Sequence, residues 1–340
     1  MNDTTRWTRR RWMRAGMAGI TAAALPGRTR AATTLRWATV LATNHPSVQM
    51  MERVAKQVRE ETGGSVEIQT FPAGQLGSSR DVIESTSSGA IQIVDEGAAQ
   101  FGQFVPQFSI LEAPYIWRDA QHVRRVLGSQ LLDEMNAMLV SKRSMRIIGS
   151  TYYGKRHVTS GSKAIHSVDD MKGFKLRIPE VDTFRAMAEA WGARPTPLNI
   201  GELYLALSQG AVDGQENPLP TIQSNKFFEV QKYVSATNHV YAANIVLVSK
   251  KFWDRLSPQE QQWMQEAANE ARAYQREVSR KAAQSAVADL QAKGMQYNDV
   301  SPAERARMSQ VAKTVTDKLA ASYDPAIVKL YNDELARARK

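Results

Sequence analysis

Hydrophobic and polar positions follow strand spacing and helix spacing in alternation along most of the chain. A loosely alternating, β-rich run at residues 35–40 predicts a first strand. Apolar residues then recur at helical spacing over residues 46–61, and residues 66–70 alternate again before a proline. Strand, helix and strand at these intervals predict a βαβ unit, and therefore an α/β fold with parallel strands.

Several later helices carry recognisable start signals. An oxygen-bearing side chain followed three residues later by Glu, the pattern of a capping box, occurs at Asn199, Ser257 and Ser301. Ser78 can cap a helix up to residue 88. The helix that begins at Ser257 is expected to reach about Lys293, which is longer than most globular helices. Its apolar positions keep no heptad, so a coiled coil is not predicted.

Two further segments are predicted between these helices. Residues 120–139 form a single periodic stretch and predict one helix, and residues 145–149 predict a strand. The run between residues 101 and 117 is rich in aromatic side chains, for which we expect a role in core and domain packing.

Residues 1–32 have the features of an export signal of the twin-arginine type. Arg9, Arg10 and Arg11 precede an apolar run at residues 15–25, which is shorter than the ~20 residues that span a bilayer. Small residues at Ala31-Ala32 suggest the cleavage site. The whole chain has a formal charge of +10, and this basic segment supplies much of it. The remainder is mildly basic without a basic stripe, so nucleic-acid binding is not implied.

The chain has no cysteine, which excludes disulfides, thiolate metal ligands and a Cys nucleophile. Its five histidines are dispersed and lack metal-ligand spacing, so no metal and no cofactor is expected. Phosphate-binding loops, a dinucleotide-binding glycine pattern and a nucleophile elbow are absent from the sequence. These absences disfavour most hydrolases and nucleotide-dependent enzymes.

Arg177 is the leading candidate for a binding residue. It stands before Ile178-Pro179, and a residue that approaches a proline is driven to extended geometry, so we expect Arg177 at the end of a strand. Ligands bind in crevices at such strand ends, and a guanidinium there can hold a carboxylate with two parallel hydrogen bonds. The alternative interpretation is a solvated surface arginine.

A second candidate is the acidic pair Asp95-Glu96, which follows a buried apolar strand at residues 91–94. An unpaired buried carboxylate is costly, so the pair could bind ligand hydroxyls or a cationic partner. The alternative is a solvated pair of loop residues.

The stretch around Arg177 resembles the substrate-binding proteins of TRAP (tripartite ATP-independent periplasmic) transporters, a family that includes C4-dicarboxylate and sialic acid receptors. Several independent blocks, in the same order, carry the resemblance, which extends from about Leu35 to the C-terminal helices. The blocks are residues 170–173, 175–179, 192–197, 202–207, 212–218 and 226–233. The resemblance implies a two-lobed periplasmic-binding-protein fold with two mixed sheets flanked by helices. A long C-terminal helix would bridge the lobes.

The implied lobes are residues 33–153 with 242–280, and residues 154–241 with 281–340. The resemblance also implies a ligand site between them, with no catalytic residue. Arg177 would grip a carboxylate, Arg156 and Asn217 would complete the anion site, and residues of the first lobe would contact the rest of the ligand. The full predicted set is Arg177, Arg156, Asn217, Glu96, Gln75, Asn44, His45, Tyr153 and Glu180.

The implied function is that of a periplasmic receptor, not an enzyme. It would capture a small organic acid and deliver it to the small and large membrane subunits of an ion-gradient-driven permease, and it would act as a monomer. Several positions depart from the sialic acid branch, which favours a sugar acid or a small hydroxy, oxo or dicarboxylic acid. These positions are Val40, Ser79, Gly97, Gln100 and Ile200. The alternative is a carboxylate-processing isomerase or lyase that uses Asp95 and Glu96.

Overall fold

Residues 32–337, the part of the chain that this computed structural model describes, are organised around a mixed sheet of nine strands. The predicted signal segment up to residue 31 lies outside the described residues. The strands are β1 Thr33–Ala38, β2 Val66–Phe71, β3 Ile93–Gly97, β4 Met145–Ser160, β5 Lys175–Ile178, β6 Arg194–Pro197, β7 Gly214–Pro218, β8 Tyr233–Ser249 and β9 Gln296–Asp299. Their order is β2-β1-β3-β8-β4-β7-β5-β6, with β9 paired to β8.

Eleven helices flank this sheet in the described part of the chain. They are α1 Pro46–Glu61, α2 Ser79–Ser88, α3 Ala120–Val126, α4 Gln130–Arg143, α5 Asp182–Ala190, α6 Ile200–Ser208, α7 Leu219–Ser224, α8 Lys250–Trp253, α9 Pro258–Ala292, α10 Pro302–Ala321 and α11 Pro325–Arg337. Short 3₁₀ segments cover Ala98–Gln103, Pro106–Glu112, Val168–Met171 and Phe227–Glu229. None of the described helices is long and apolar enough to cross a membrane.

Two long antiparallel strands, β4 and β8, connect the halves of the sheet. The early part of β4 pairs with the part of β8 that also pairs with β3. The later part of β4 pairs with β7. Strand β7 also pairs with β5, and β5 pairs with β6, both in parallel. The two predicted sheets are therefore joined into one hydrogen-bonded path. The lobe boundaries stay a prediction, because the described residues group as one compact unit.

Strand β4 is longer than predicted. The strand expected at residues 145–149 continues to Ser160, and three irregularities in its register with β8 accommodate the extra length. One of them lies between Tyr152 and Gly154. Gly154 has φ +149°, and an added Cβ would lie 2.8 Å from Pro218 Cβ. Such bulges re-aim side chains, so one strand can serve two environments.

Residues 120–139 do not form the single helix that was predicted. The helix α3 ends at Val126, and α4 begins at Gln130. The Ser129 hydroxyl donates to the Val126 carbonyl at 2.8 Å, and Gly128 lies between the two helices. Serine competes for backbone groups and glycine has a low helix propensity, so the periodic pattern alone was misleading here.

The capping predictions had mixed outcomes. Ser78 and Ser257 form complete capping boxes with Asp81 and Glu260. Ser301 accepts from the Glu304 amide at 3.2 Å. The capping box at Asn199 was wrong, since the helix begins there without a side-chain cap. The 35-residue helix α9 was predicted correctly and packs against α1, β4 and α7.

Gly214, the first residue of β7, sets a steric constraint on the sheet. A Cβ at this position would lie 2.0 Å from the Thr159 carbonyl oxygen and 2.7 Å from the Phe174 ring. We expect Gly214→Ala to lower the free energy of unfolding by about 2 kcal/mol or more, because neither neighbour can withdraw easily. Denaturant unfolding measures this change.

The matched control is Gly201→Ala, on helix α6. No atom lies within 4 Å of its added Cβ, and alanine favours a helix over glycine. This variant should be as stable as the wild type or slightly more so. Equal stability of the two variants would contradict the steric argument.

Candidate functional site

A cleft lies at the carboxyl ends of several strands, where the sequence predicted a binding crevice. It contains about 640 Å³ of space between protein atoms, including solvent-open space at its mouth. Its wall is formed by Val40, Leu41, Ser79, Glu96, Gly97, Ala99, Gln100, Glu112, Tyr153, Arg156, Arg177, Pro179, Glu180, Val181, Phe184, Leu198, Asn199, Ile200, Asn217 and Asn244. These residues come from strands β3, β4, β5, β7 and β8, from the loops that follow β1, β5 and β6, from helices α2, α5 and α6, and from the 3₁₀ segments after β3.

Arg177 lies near the end of β5 and is 3% exposed. Its Nε and Nη2 atoms both donate to the Leu198 carbonyl, at 2.8 Å for Nε. No carboxylate of the described residues lies within ion-pair distance of this guanidinium. Burial lowers the pKa of Arg177 to about 10, so the group is still a cation at neutral pH. A buried cation without a carboxylate partner is costly, and a bound anion would offset that cost.

Arg156 has a different environment, although it lines the same cleft. Its Nε lies 2.6 Å from Glu216 Oε2 and its Nη2 lies 2.8 Å from Glu216 Oε1. The ring of Phe184 lies 4.9 Å from the guanidinium carbon. Burial alone would raise the pKa of Glu216, but Arg156 and His239 outweigh it and hold that pKa at about 2. The charge of Arg156 is therefore already balanced inside the protein.

Asn217 is held in place by hydrogen bonds at both ends of its amide. Its Oδ1 accepts from Arg156 Nη2 at 3.1 Å, and its Nδ2 donates to Gln215 Oε1 at 2.6 Å. Gln215 in turn donates to Thr159. Asn217 lies within β7, opposite His157 of β4. The three predicted anion-site residues, Arg177, Arg156 and Asn217, are thus brought to one end of the cleft.

Two buried carboxyl groups, Glu96 and Glu112, also line the cleft. Glu96 accepts from the Ser79 hydroxyl at 2.9 Å and from the Val40 amide at 3.3 Å. Burial raises its pKa to about 8. Glu112 accepts from the amides of Ala99 and Ala243 at 3.0 and 3.1 Å, and burial raises its pKa as well. A neutral Glu96 can donate a hydrogen bond, which an ionised carboxylate cannot.

Asp95 and Glu96 do not both line the cleft. Both lie within β3 and are buried, so the interpretation as a solvated loop pair was wrong. Successive residues of a strand point to opposite faces, and only Glu96 lines the cleft. Burial raises the pKa of Asp95 to about 7.

Two predicted contacts lie away from the cleft. Asn44 and Gln75 are exposed and do not line it. Leu41 and Ser79, each a few residues away, take those places on the wall. The loops were located correctly, but the residue that faces inward was not, because a loop pattern does not fix side-chain direction.

The other predicted residues divide between wall and support. Tyr153 lines the cleft, and its hydroxyl is hydrogen-bonded to Thr221. His45 is buried behind it, with ring centroids 5.4 Å apart, and accepts from the Ser47 amide at the start of α1. Burial lowers the pKa of His45 to about 3, so it is neutral and supports the wall. Glu180 lines the cleft and is exposed.

The sequence-based predictions missed Glu112 and Asn244. Glu112 is the acid within the aromatic-rich run, and a single acid in an otherwise apolar segment was the available signal. Asn244 lies in the long strand β8 and gave no separate signal. Within residues 32–337, no group of three or more His, Asp or Glu side chains is arranged to hold a metal ion.

Comparison with known proteins decides the family. The sequence model of the bacterial extracellular solute-binding proteins, family 7 (DctP), matches residues 37–322. The chain belongs to this family. It is a substrate-binding protein of a TRAP transporter and not an enzyme, so the isomerase or lyase alternative is rejected.

Relatives of this TRAP receptor cover almost the whole fold. The sialic acid-binding periplasmic protein SiaP of Vibrio cholerae is 29% identical over 300 residues, which is 86% of this chain and 93% of SiaP. A sugar acid binding protein of Advenella mimigardefordensis, solved with galactonate, has a TM-score of 0.86 and 29% identity over 90% of this chain and 99% of its own. A TRAP solute-binding protein of Bradyrhizobium sp., solved with galacturonate, has a TM-score of 0.83 and 30% identity over 89% of this chain and 99% of its own.

The raised pKa of Glu96 predicts how stability depends on pH. Between its ordinary value of 4.5 and about 8, the folded protein keeps a proton that the unfolded chain releases. The free energy of unfolding should therefore fall as pH rises through this window, and Asp95 acts in the same direction up to about 7. In Glu96→Gln, the decrease in melting temperature from pH 5 to pH 8.5 should be at least about 2 °C smaller than in the wild type.

Differential scanning fluorimetry at a series of pH values measures this slope. Glu84→Gln, which changes an exposed glutamate of α2, serves as the control and should keep the wild-type slope. Parallel curves for the wild type and Glu96→Gln would contradict the proposed protonation of Glu96.

Proposed function

We propose that this receptor binds a sugar acid, an aldonate or a uronate, and delivers it in the periplasm to an ion-gradient-driven TRAP permease. In this proposal the protein acts as a monomer and is exported by the twin-arginine route. One observation carries the choice of ligand class. Among the described residues that line the cleft, Arg177 is the buried cation without a carboxylate partner, and it shares the cleft with hydrogen-bonding side chains such as Ser79, Glu96 and Asn244.

The anion end of the cleft suits one carboxylate. Two arginines and the buried carboxylate of Glu216 leave one positive charge for a ligand. Arg177 donates from Nε and Nη2 to the Leu198 carbonyl, so its remaining N–H groups are those that would meet the ligand. In a site closed to water, a charge-assisted pair of this kind is strengthened. Arg156 and Asn217 would add donors beside it.

The polar side chains that the first predicted lobe contributes suit hydroxyl groups. Ser79, Glu96, Gln100 and Asn244 line the cleft and offer both donors and acceptors. A hydroxyl can donate to one of these groups and accept from another, which a second carboxylate cannot. Arg156 and Arg177 are the only arginine or lysine side chains among the described lining residues, and Arg156 is paired with Glu216, so a dicarboxylate would lack a free second cation.

Sialic acid fits this wall less well. The five positions at which the sequence departs from the sialic acid branch all lie on the cleft wall. Val40, Gly97 and Ile200 there lack polar side chains, so the extra polar groups of a sialic acid would lose partners. The solved relatives with galactonate and galacturonate support the smaller sugar acids.

For delivery, the permease must distinguish the ligand-bound receptor from the empty one, so ligand binding must change the conformation of the receptor. We infer that the two predicted lobes close on the ligand and that β4 and β8, which run through both, carry the hinge. Closure is then a population shift, driven by contacts that the ligand makes with both walls at once.

Removal of the Arg177 guanidinium should abolish binding without unfolding the protein. We expect Arg177→Ala to weaken sugar-acid binding by at least 100-fold, measured by calorimetry with D-galacturonate and D-galactonate. Arg177→Lys should also lose at least tenfold, because an ammonium cannot make the planar pair. Arg185→Ala, which removes an exposed arginine on the adjacent helix α5, is the control and should bind as the wild type does. A loss below tenfold in Arg177→Ala would refute the anchor role.

A panel of acids separates the ligand classes. Thermal-shift measurements should show stabilisation by aldonates and uronates, since a ligand that binds only the folded state raises its stability by mass action. Galactose, which lacks the carboxylate, should have no effect, and succinate and N-acetylneuraminate should have smaller ones. Stabilisation by succinate alone would leave a carboxylate receptor but reject the sugar-acid class. Stabilisation by galactose alone would reject both.

A further inference from the structure

A second cavity lies behind strand β4, on the face opposite to the cleft. Tyr153 and Arg156 line the cleft, whereas their neighbours Tyr152 and Lys155 line this rear cavity. The rear cavity contains about 1280 Å³ of space between protein atoms, twice that of the cleft. It is lined by Ala120, Arg124, Leu127, Ser150, Thr151, Tyr152, Lys155, Arg272, Arg276, Glu277, Ser279, Arg280, Ala283 and Gln284.

The lining is strongly basic. Five of these side chains are cations and one is a carboxylate, Glu277. Glu277 already lies 3.2 Å from both Arg280 and Lys281, which lower its pKa. Little of its charge is therefore left for the other cations. In the surface as a whole the charges are mixed, since residues 32–337 contain many i,i+4 pairs of opposite sign.

Helix α9 presents three of these cations in a row. Arg272, Arg276 and Arg280 are spaced four residues apart, so they lie on one face of the helix. Like charges at this spacing repel each other and destabilise a helix. An anion in the cavity would attract all three arginines. Side chains of α9, α3 and β4 would then bind the anion jointly.

Arg272 provides an independent indication. Its Nε atom is buried and has no hydrogen-bond acceptor, although the side chain borders the cavity. A buried donor without an acceptor is destabilising, and an anion in the cavity would supply the missing acceptor. Beside it, Leu127, Tyr152 and Ala283 offer carbon surface, so the cavity can contact the skeleton of an organic molecule as well as its charges.

We propose that the rear cavity is a second binding site, for a small anion with two or more negative charges. Such an anion would link α9 with α3 through Arg124 and with β4 through Lys155. The site is distinct from the cleft, because it shares no lining residue with it. A concave site lined by α3, β4 and α9 favours a small molecule over a flat macromolecular surface.

Calorimetry with citrate and with inorganic pyrophosphate tests the proposal on the mature protein. We expect saturable binding of at least one probe, with an affinity that falls as salt is added. The double variant Arg272→Gln with Arg276→Gln should weaken this binding at least tenfold. Arg177→Ala, which alters only the cleft, should leave it within threefold of the wild type.

A matched control uses the same helix. Lys281→Gln removes one charge from α9 next to the cavity but outside its lining, and should change the affinity less than threefold. Melting curves identify any variant that is misfolded. If the double variant is misfolded, a second double variant, Lys155→Gln with Arg124→Gln, replaces it. This variant removes the cations of β4 and α3 and should give the same tenfold loss. Absence of saturable binding by either probe, or binding abolished by Arg177→Ala alone, would overturn the proposal.

Discussion

The site depends on how charge is distributed around two buried arginines. Both are almost fully enclosed, yet only Arg156 has a carboxylate partner, and Glu216 is further held by His239. This pairing satisfies Arg156 and leaves Arg177 with a backbone carbonyl only. If Glu216 lay between the two guanidinium groups, neither would need an anion. Its direct pairing with one arginine leaves the other to contact a ligand, because Glu216 and Glu180 favour the charge of Arg177 without forming an ion pair with it.

The long strands β4 and β8 connect the two walls of the cleft, and a change in their twist would move these walls. β4 carries Tyr153 and Arg156 on the cleft side while its register shifts relative to β8 three times. The bulge at Gly154 allows the strand to turn its side chains without breaking the ladder. Because β3 and β7 are attached at different points along the same two strands, a small change of twist in β4 and β8 would move the two walls of the cleft relative to each other.

Much of the fold could be predicted from local patterns, but the site only in part. Arg177 was located correctly because the following Ile-Pro fixes extended geometry, and helix α9 because Ser257 and a proline mark its start. Gln75 and Asn44 lie outside the cleft wall for a physical reason. A loop sequence shows that the chain turns, and tertiary packing then decides which side chain faces inward. The break after α3 was missed because the helical period of apolar residues continues on both sides of Gly128, so the pattern alone did not show that a helix ends there.

The protonation of Glu96 affects the charge balance of the cleft. An ionised Glu96 would place a carboxylate in the same small cleft as Arg177, where it would compete with the ligand for the field of that arginine. Burial raises the pKa of Glu96 to about 8, so near neutral pH this side chain is largely uncharged. It then contributes hydrogen bonds without repelling an acid. Burial raises the pKa of Glu112 as well, against an opposing effect of Arg156. The same desolvation that keeps Glu96 neutral strengthens the attraction between Arg177 and a carboxylate.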